Sequence, residues 1–563
     1  MIALVVLASM VFFAVAYRVY GRFLSRSVGI DDTQTTPAVE INDGVDFVPA
    51  KSSLLIGQHF SAIAAAGPIV GPILAGLWFG WLPALLWVVV GAVFVGGVHD
   101  FASLIASVRH GSTSIGELLK QYLSPTAHVL FLGFVWLTLV YVIIAFTDIT
   151  AQTFRVVAQG EAFGPGVAVS SVLYLVLGVL MGVLLYRFKL NLTVATAIFL
   201  PLLVLIVWSG GHLPQSVVTF MSSISSAQWN VVLLAYCFVA SLLPMWLLLQ
   251  PRGYLGGWFL YLTIATGLIG ALFGGFSIQY PAINMEGLRS LETGRMMFPV
   301  LFITIACGAC SGFHAIVSSG TTSKQLRRES DARVVGYGAM LLEGLVAVLA
   351  LATVMMLPKG DAMLKGDPNL IYANGLARYL GLVGVDFSVA LAFALLAFST
   401  FVYDTLDVCT RLARYILQEL LGWKSRTGAY AATFITLLVP FLFLMATGEK
   451  GYLVAWPIFG TSNQLLASLS LLALSVWLYK TGKPYLYAVI PMLFMLVMTL
   501  WSLVQLFTPF LAGLPGLLSG AGMKTPVLVA GCCGLPLFVL TLWLVYESYS
   551  VLVLKRAREN PSR

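Results

Sequence analysis

The stretch Gly57-Gln58-His59-Phe60-Ser61-Ala62-Ile63-Ala64-Ala65-Ala66-Gly67-Pro68-Ile69-Val70-Gly71-Pro72-Ile73-Leu74-Ala75-Gly76 is apolar, of membrane-crossing length, and cut near its middle by two Gly-Pro pairs. Each proline removes a backbone donor and disfavours helix in the residue before it. The segment therefore reads as two half-helices around an unwound turn, with Pro72 opening the second half. The amides of Ile73 and Leu74 then point back into the gap, where an anion is welcome. Free backbone groups at membrane depth survive only where protein buries them or where they line a wet cavity. The turn thus marks a binding site for something small and polar.

The rest of the chain supplies the membrane context. Of its 563 residues, 59% are hydrophobic and only 10% charged, and the mean hydropathy of +0.94 lies far outside the range of soluble domains. The fold class is an all-α polytopic membrane protein of about fifteen transmembrane helices, starting near residues 2, 54, 81, 127, 168, 190, 231, 256, 296, 333, 387, 427, 452, 484 and 526. With the N-terminus outside, the loops and helix ends assigned to the cytoplasm hold most of the 31 Lys and Arg, among them Arg18, Arg22, Arg26, Arg109, Arg187, Arg252, Lys324, Arg411, Arg426, Lys480 and, at a cytoplasmic C-terminus, Lys555, Arg556, Arg558 and Arg563. The net charge of +8 is explained by this bias and calls for no nucleic-acid partner. The apolar run at 2–17, followed by arginines, suits an uncleaved anchor. The six cysteines form no disulfide or zinc framework, and Cys307 and Cys310 read as small packing residues.

Setting aside residues 1–26 as a peripheral helix, the next ten spans divide into two sets of five, over 50–210 and 229–417, with accessory helices over 427–555. Five is odd, so the second set enters from the opposite side, the condition for an inverted repeat. Its opening helix, Ala240-Ser241-Leu242-Leu243-Pro244-Met245-Trp246-Leu247-Leu248-Leu249-Gln250-Pro251, is also interrupted by proline. Paired broken helices at matching positions point to a transport site, and the architecture expected is the five-helix inverted repeat of the leucine-transporter fold.

A charged residue at the centre of a membrane helix costs about 2.5–3.5 kcal/mol, so His59, His99, Asp100, Asp148, His314, Glu343, Asp404 and Asp407 are expected to face the interior. His99 and Asp100 are adjacent, diverge by about 100° on a helix, and are not expected to pair with each other. A helix over 296–325 carries Ser311, Ser318 and Thr322 on one face. With Ser319 and Thr321 these offer hydroxyl oxygens to a hard cation or a solute, unless they bond back to their own helix. Asp404 and Asp407 share a face, and Asp407 can pair with Arg411 as a lock, a gate or a proton site. Asn463 and Gln464 need partners at depth, either substrate or neighbouring helices.

Together, the broken helix, His99-Asp100-Phe101 running on to Ser107-Val108-Arg109-His110-Gly111 and Ser114-Ile115-Gly116-Glu117, Gly320-Thr321-Thr322-Ser323-Lys324, Asp404-Thr405 followed by Arg411-Leu412-Ala413-Arg414-Tyr415, and Phe459-Gly460-Thr461-Ser462-Asn463-Gln464-Leu465-Leu466-Ala467 resemble the carbon starvation protein A family. The resemblance implies a multi-pass transporter of the bacterial inner membrane, similar to members that take up peptides and to others that import pyruvate with protons.

The reading is a secondary active symporter with no enzymatic activity. His59, Ser61, Gly67, Pro68, Gly71, Pro72, Ser311 and His314 line the substrate site. His99, Asp100, Asp404, Asp407 and Arg411 serve coupling or gating, and Ser318, Ser319, Thr321 and Thr322 form a possible cation site, with Asn463 and Gln464 in support. The coupling ion is a proton, or sodium in the nearest alternative, and no organic cofactor or metal is called for. A passive channel is the rival of a different class, separable by the absence of counterflow exchange. Partners are the lipid bilayer and a small solute, peptide or monocarboxylate. No H-E-x-x-H occurs, and Gly482-Lys483 lacks the glycine of a P-loop.

Overall fold

Long apolar runs have one stable outcome in lipid: helices whose backbone groups satisfy one another. The computed structural model describes residues 1–158, 160–286, 296–448, 451–519 and 522–550 and is helical apart from a two-residue hairpin pairing Val157 with Ala162. Among the described residues 12 helices are long and apolar enough to cross a membrane, or up to 14 if two bent pairs count as spans. The expected fifteen is not reached because the segment foreseen as one helix over 296–325 is interrupted, leaving Met297–Thr304 and Gly312–Val317, each too short to span. The expected cytoplasmic C-terminus, with Lys555, Arg556, Arg558 and Arg563, lies outside the described residues.

The helices sort by what they face. Phe387–Leu421 has 89% of its most apolar window buried and packs along Pro125–Thr153, whereas only 17% of Leu192–Gly210 is covered by protein. The first pair is scaffold and the last faces lipid. The half-helix Ser52–Ile63 lies tightly on Leu249–Phe273. A methyl added at Gly253, Gly256 or Gly257 would strike Gln58, Ser61 or Gly57, so small residues let these two backbones come together.

At one end of the bundle Arg109, the last residue of the helix Gly97–Arg109, clasps three segments. It donates to the carbonyls of Val28 (3.0 Å) and Gly29 (2.6 Å), where the helix Ile2–Val28 ends, and pairs with Glu329 at 2.8 Å.

Candidate functional site

The first break falls where sequence placed it, but three residues earlier. The half-helix Ser52–Ile63 ends at Ala64, which leaves helical geometry (φ −81°, ψ 59°), and the second half, Gly67–Phe79, opens with Pro68 in its first turn. Ala64–Ala66 are therefore the unwound residues. Pro72, expected to open the second half, lies inside it. Pro68 occupies the first-turn position that proline suits, whereas Pro72, inside the helix, both lacks the N–H that would reach the carbonyl of Pro68 and crowds that carbonyl with its ring. The amides of Ile73 and Leu74 accordingly sit within a helix and do not point into the gap.

The break that faces this one is at 305–311, between Met297–Thr304 and Gly312–Val317. A methyl on Gly67 would strike Cys307 Sγ, one on Gly71 would strike the carbonyl of Thr304, and Gly308 lies over Pro68 and Pro72. The proline interruption expected to fill that role does unwind the chain, over 243–248. It lies elsewhere, however: Met245 N–H donates to the carbonyl of Val45 (3.2 Å) and Gln250 to that of Val48 (3.2 Å), beside the start of the first half-helix.

Asn463 and Gln464, on Tyr452–Lys480, find neighbouring helices as partners and hold the second break from both sides. Gln464 Nε2 donates to the carbonyl of Phe302 at 2.9 Å and Trp87 Nε1 to that of Ile305 at 3.1 Å, satisfying the end of the first half. Asn463 Oδ1 accepts from the N–H of Phe313 at 2.9 Å, capping the second half, and its Nδ2 donates to Ser311 Oγ at 3.0 Å.

Two clusters of ionisable groups flank the breaks, and every acid and histidine expected inside is at most 2% exposed. In the first, Arg252 Nε lies 2.6 Å from Asp404 Oδ1 and Nη1 lies 2.7 Å from Asp407 Oδ2. Ser61 donates to Asp404, Tyr236 to Asp407 at 3.1 Å, and Tyr174 to the carbonyl of Arg252 at 2.6 Å. Thr405 ties the same helix to the first break by donating to the carbonyl of Ala62 at 3.0 Å. Two carboxylates around one guanidinium leave one negative charge to be matched by a proton or another cation.

This corrects two expectations. Arg252 is not a loop cation but 1% exposed in the core. Asp407 pairs with it and not with Arg411, whose guanidinium instead donates to the carbonyls of Ala240 (2.9 Å) and Leu243 and lies 3.9 Å from Asp46. Those carbonyls are freed by the unwinding at 243–248 and outcompete the neighbouring acid. Sequence carried a signal for Arg252: it directly follows Pro251 at the end of the proline interruption, where a cation can meet an acid of the core.

The second cluster joins His59, His99, Asp100, His314 and Glu343. One oxygen of Asp100 is 2.8 Å from His314 Nδ1 and the other 2.8 Å from His99 Nδ1, so His99 and Asp100 do pair, against expectation. A carboxylate has two oxygens, and in this buried site one bends back to its neighbour while the other crosses to the next helix. His314 Nε2 lies 3.3 Å from Glu343 Oε2, and His59 Nδ1 shares a 2.8 Å hydrogen bond with Thr322 Oγ1. Among the hydroxyls of the expected cation set, Ser319 and Thr321 donate to their own helix at Ala315 and Val317. Ser318 Oγ is buried without a hydrogen-bond partner among the described residues.

Two cavities lie at different levels along Phe387–Leu421. One of about 380 Å³ is lined by Val70, Trp78, Gln152, Asn369, Phe398 and Trp456. The other, of about 360 Å³, is lined by Ser112, Ser319, Lys324, Leu412, Tyr415 and Glu419. Phe398 and Leu412 stand about 20 Å apart along their helix, with Asp404 and Asp407 of the first cluster between them.

Comparison with known proteins places this arrangement. A peptide transporter of Helicobacter pylori, CstA, is 32% identical over 88% of this chain and 81% of its own length. Its Escherichia coli counterpart is 33% identical over 88% and 80%. The pyruvate/proton symporter BtsT of Escherichia coli is 31% identical over 90% and 81%. The profile of the family described as carbon starvation protein CstA matches residues 1–371 and 361–502. The chain belongs to the carbon starvation protein CstA family.

Proposed function

We propose that this protein is a secondary active transporter of the bacterial inner membrane that takes up small carboxylate-bearing nutrients, peptides or pyruvate, together with protons during carbon starvation. The observation that carries the reading is the facing pair of interrupted helices, 64–66 against 305–311, buried in the bundle. Relatives named as a peptide transporter and as a pyruvate/proton symporter fit a solute with a carboxylate and a proton as coupling ion. Both cavities fall within the volume range of small-molecule sites, about 300–1,000 Å³. Two recesses closed from each other by packed side chains suit alternating access better than an open pore.

The register of the inverted repeat follows from where the breaks lie. One set of five runs over 52–210 and begins with the first break, and the other runs over 297–480 and begins with the second. In each, a span with a π-helical turn comes next, Ala92–Gly96 or Arg333–Gly338. Drawn this way, 226–273 become a connecting pair, in place of a second set over 229–417, and Asn463 and Gln464 join the second set. The N-terminus lies outside.

Asp404 carries the coupled proton, with Arg252 holding Asp407 in either state. In proteoliposomes Asp404→Asn abolishes uptake of pyruvate or a tripeptide driven by a pH gradient, while Arg252 and Asp407 keep the protein folded. Unchanged gradient-driven uptake removes Asp404 from the mechanism. Sodium coupling is the second reading, favoured by the unpartnered Ser318 hydroxyl beside Ser319, Thr321 and Thr322. Uptake that stops when sodium is replaced by choline selects it.

A further inference from the structure

The second break holds a set of ligands that transport of a carboxylate leaves unused. Cys307 Sγ, His314 Nε2 and a carboxylate oxygen of Glu343 all lie within 4.8 Å of one another. His314 and Glu343 are fully buried and Cys307 is 4% exposed. Apart from their 3.3 Å approach to each other, His314 Nε2 and the oxygens of Glu343 have no hydrogen-bond partner among the described residues. A charged carboxylate in such surroundings is costly unless a positive charge meets it; without one the group keeps its proton, which a bound cation would displace. No arginine or lysine pairs with Glu343 among the described ion pairs.

We propose that Cys307, His314 and Glu343 bind a divalent transition-metal ion of the zinc class. Thiolate, imidazole and carboxylate are the three ligand types such an ion takes, and three protein ligands with water in the fourth position complete a tetrahedral shell. With bonds of about 2.0–2.3 Å, neighbouring ligand atoms in that shell stand roughly 3.3–3.8 Å apart. The 3.3 Å between His314 Nε2 and Glu343 Oε2 already has this length. Asp100 supplies the supporting contact: by holding His314 Nδ1 at 2.8 Å it fixes the tautomer and leaves Nε2 free to ligate. The other such cluster among the described residues, Glu117, His128 and Glu419, is half-exposed and already engaged by Lys120 and Ser114, so it lacks the same need. The ion fastens Cys307, within the break and against Gly67, to Glu343 on the helix Ala339–Met355.

The test uses the full-length, tag-free protein in nanodiscs. Elemental analysis after zinc loading and desalting gives about one zinc per chain. Cobalt substituted for zinc shows a thiolate-to-cobalt charge-transfer band, which Cys307→Ser loses. Asp100→Asn weakens zinc binding by about 10–100-fold. X-ray absorption of the zinc-loaded wild type, which needs no variant, shows one sulfur at about 2.3 Å with nitrogen or oxygen at about 2.0–2.2 Å. A wild type that retains no metal, or a shell without sulfur, overturns the proposal. So does a Cys307→Ser protein with unchanged stoichiometry and spectrum. These readings need neither a solute nor a gradient, so they fail or succeed separately from the transport assay.

Discussion

The two breaks are built by different means. At 305–311 the chain is unwound by partners from elsewhere: Asn463 caps one half-helix, and Gln464 and Trp87 take the carbonyls that end the other. At 64–66 the interruption is written in the local sequence, with Pro68 at the start of the second half and one hydroxyl, from Thr405, on the carbonyl of Ala62. One break is pinned by side-chain amides, and the other is set by backbone chemistry and by glycines that admit its neighbour. With fewer side-chain partners from distant helices, the first break is the less pinned, and so the freer, of the two.

Substitutions can break or sharpen that contrast. Gly71→Val forces a side chain into the carbonyl of Thr304, and overpacking there costs about 3 kcal/mol or more. The melting temperature in detergent falls sharply and uptake is lost. Asn463→Leu leaves the N–H of Phe313 buried without a partner and costs about 1–3 kcal/mol, read by the same melting curve. Thr405→Val removes a single interhelical bond worth about 0.6 kcal/mol and barely moves the melting temperature. If Thr405→Val proves costlier than Asn463→Leu, the assignment of the pinned and the free break is reversed.

The same contrast shows what could be read from sequence. Gly67-Pro68 and Gly71-Pro72 advertise the first break because proline acts on its own backbone. Ile305-Ala306-Cys307-Gly308-Ala309-Cys310-Ser311 contains no proline, so its unwinding depends on amides more than 150 positions away and is invisible in a local pattern. Burial of the acids and histidines was legible from the cost of placing them in lipid. Their pairing was not: Asp407 turned to Arg252 and away from Arg411, and Asp100 bridged His99 and His314, choices made by tertiary neighbours. The amides of Asn463 and Gln464 were legible as groups in need of partners, and only the structure names those partners.

Arg109 gives the peripheral first helix a mechanical role. One guanidinium is shared among the carbonyls of Val28 and Gly29 and the carboxylate of Glu329, which follows the stretch Gly320-Thr321-Thr322-Ser323-Lys324 leading out of the second break. That rod already rests on the bundle through Tyr17 and Tyr20 against Tyr337, and the shared guanidinium makes it a strut that ties the end of the first helix to the segment leading out of the second break.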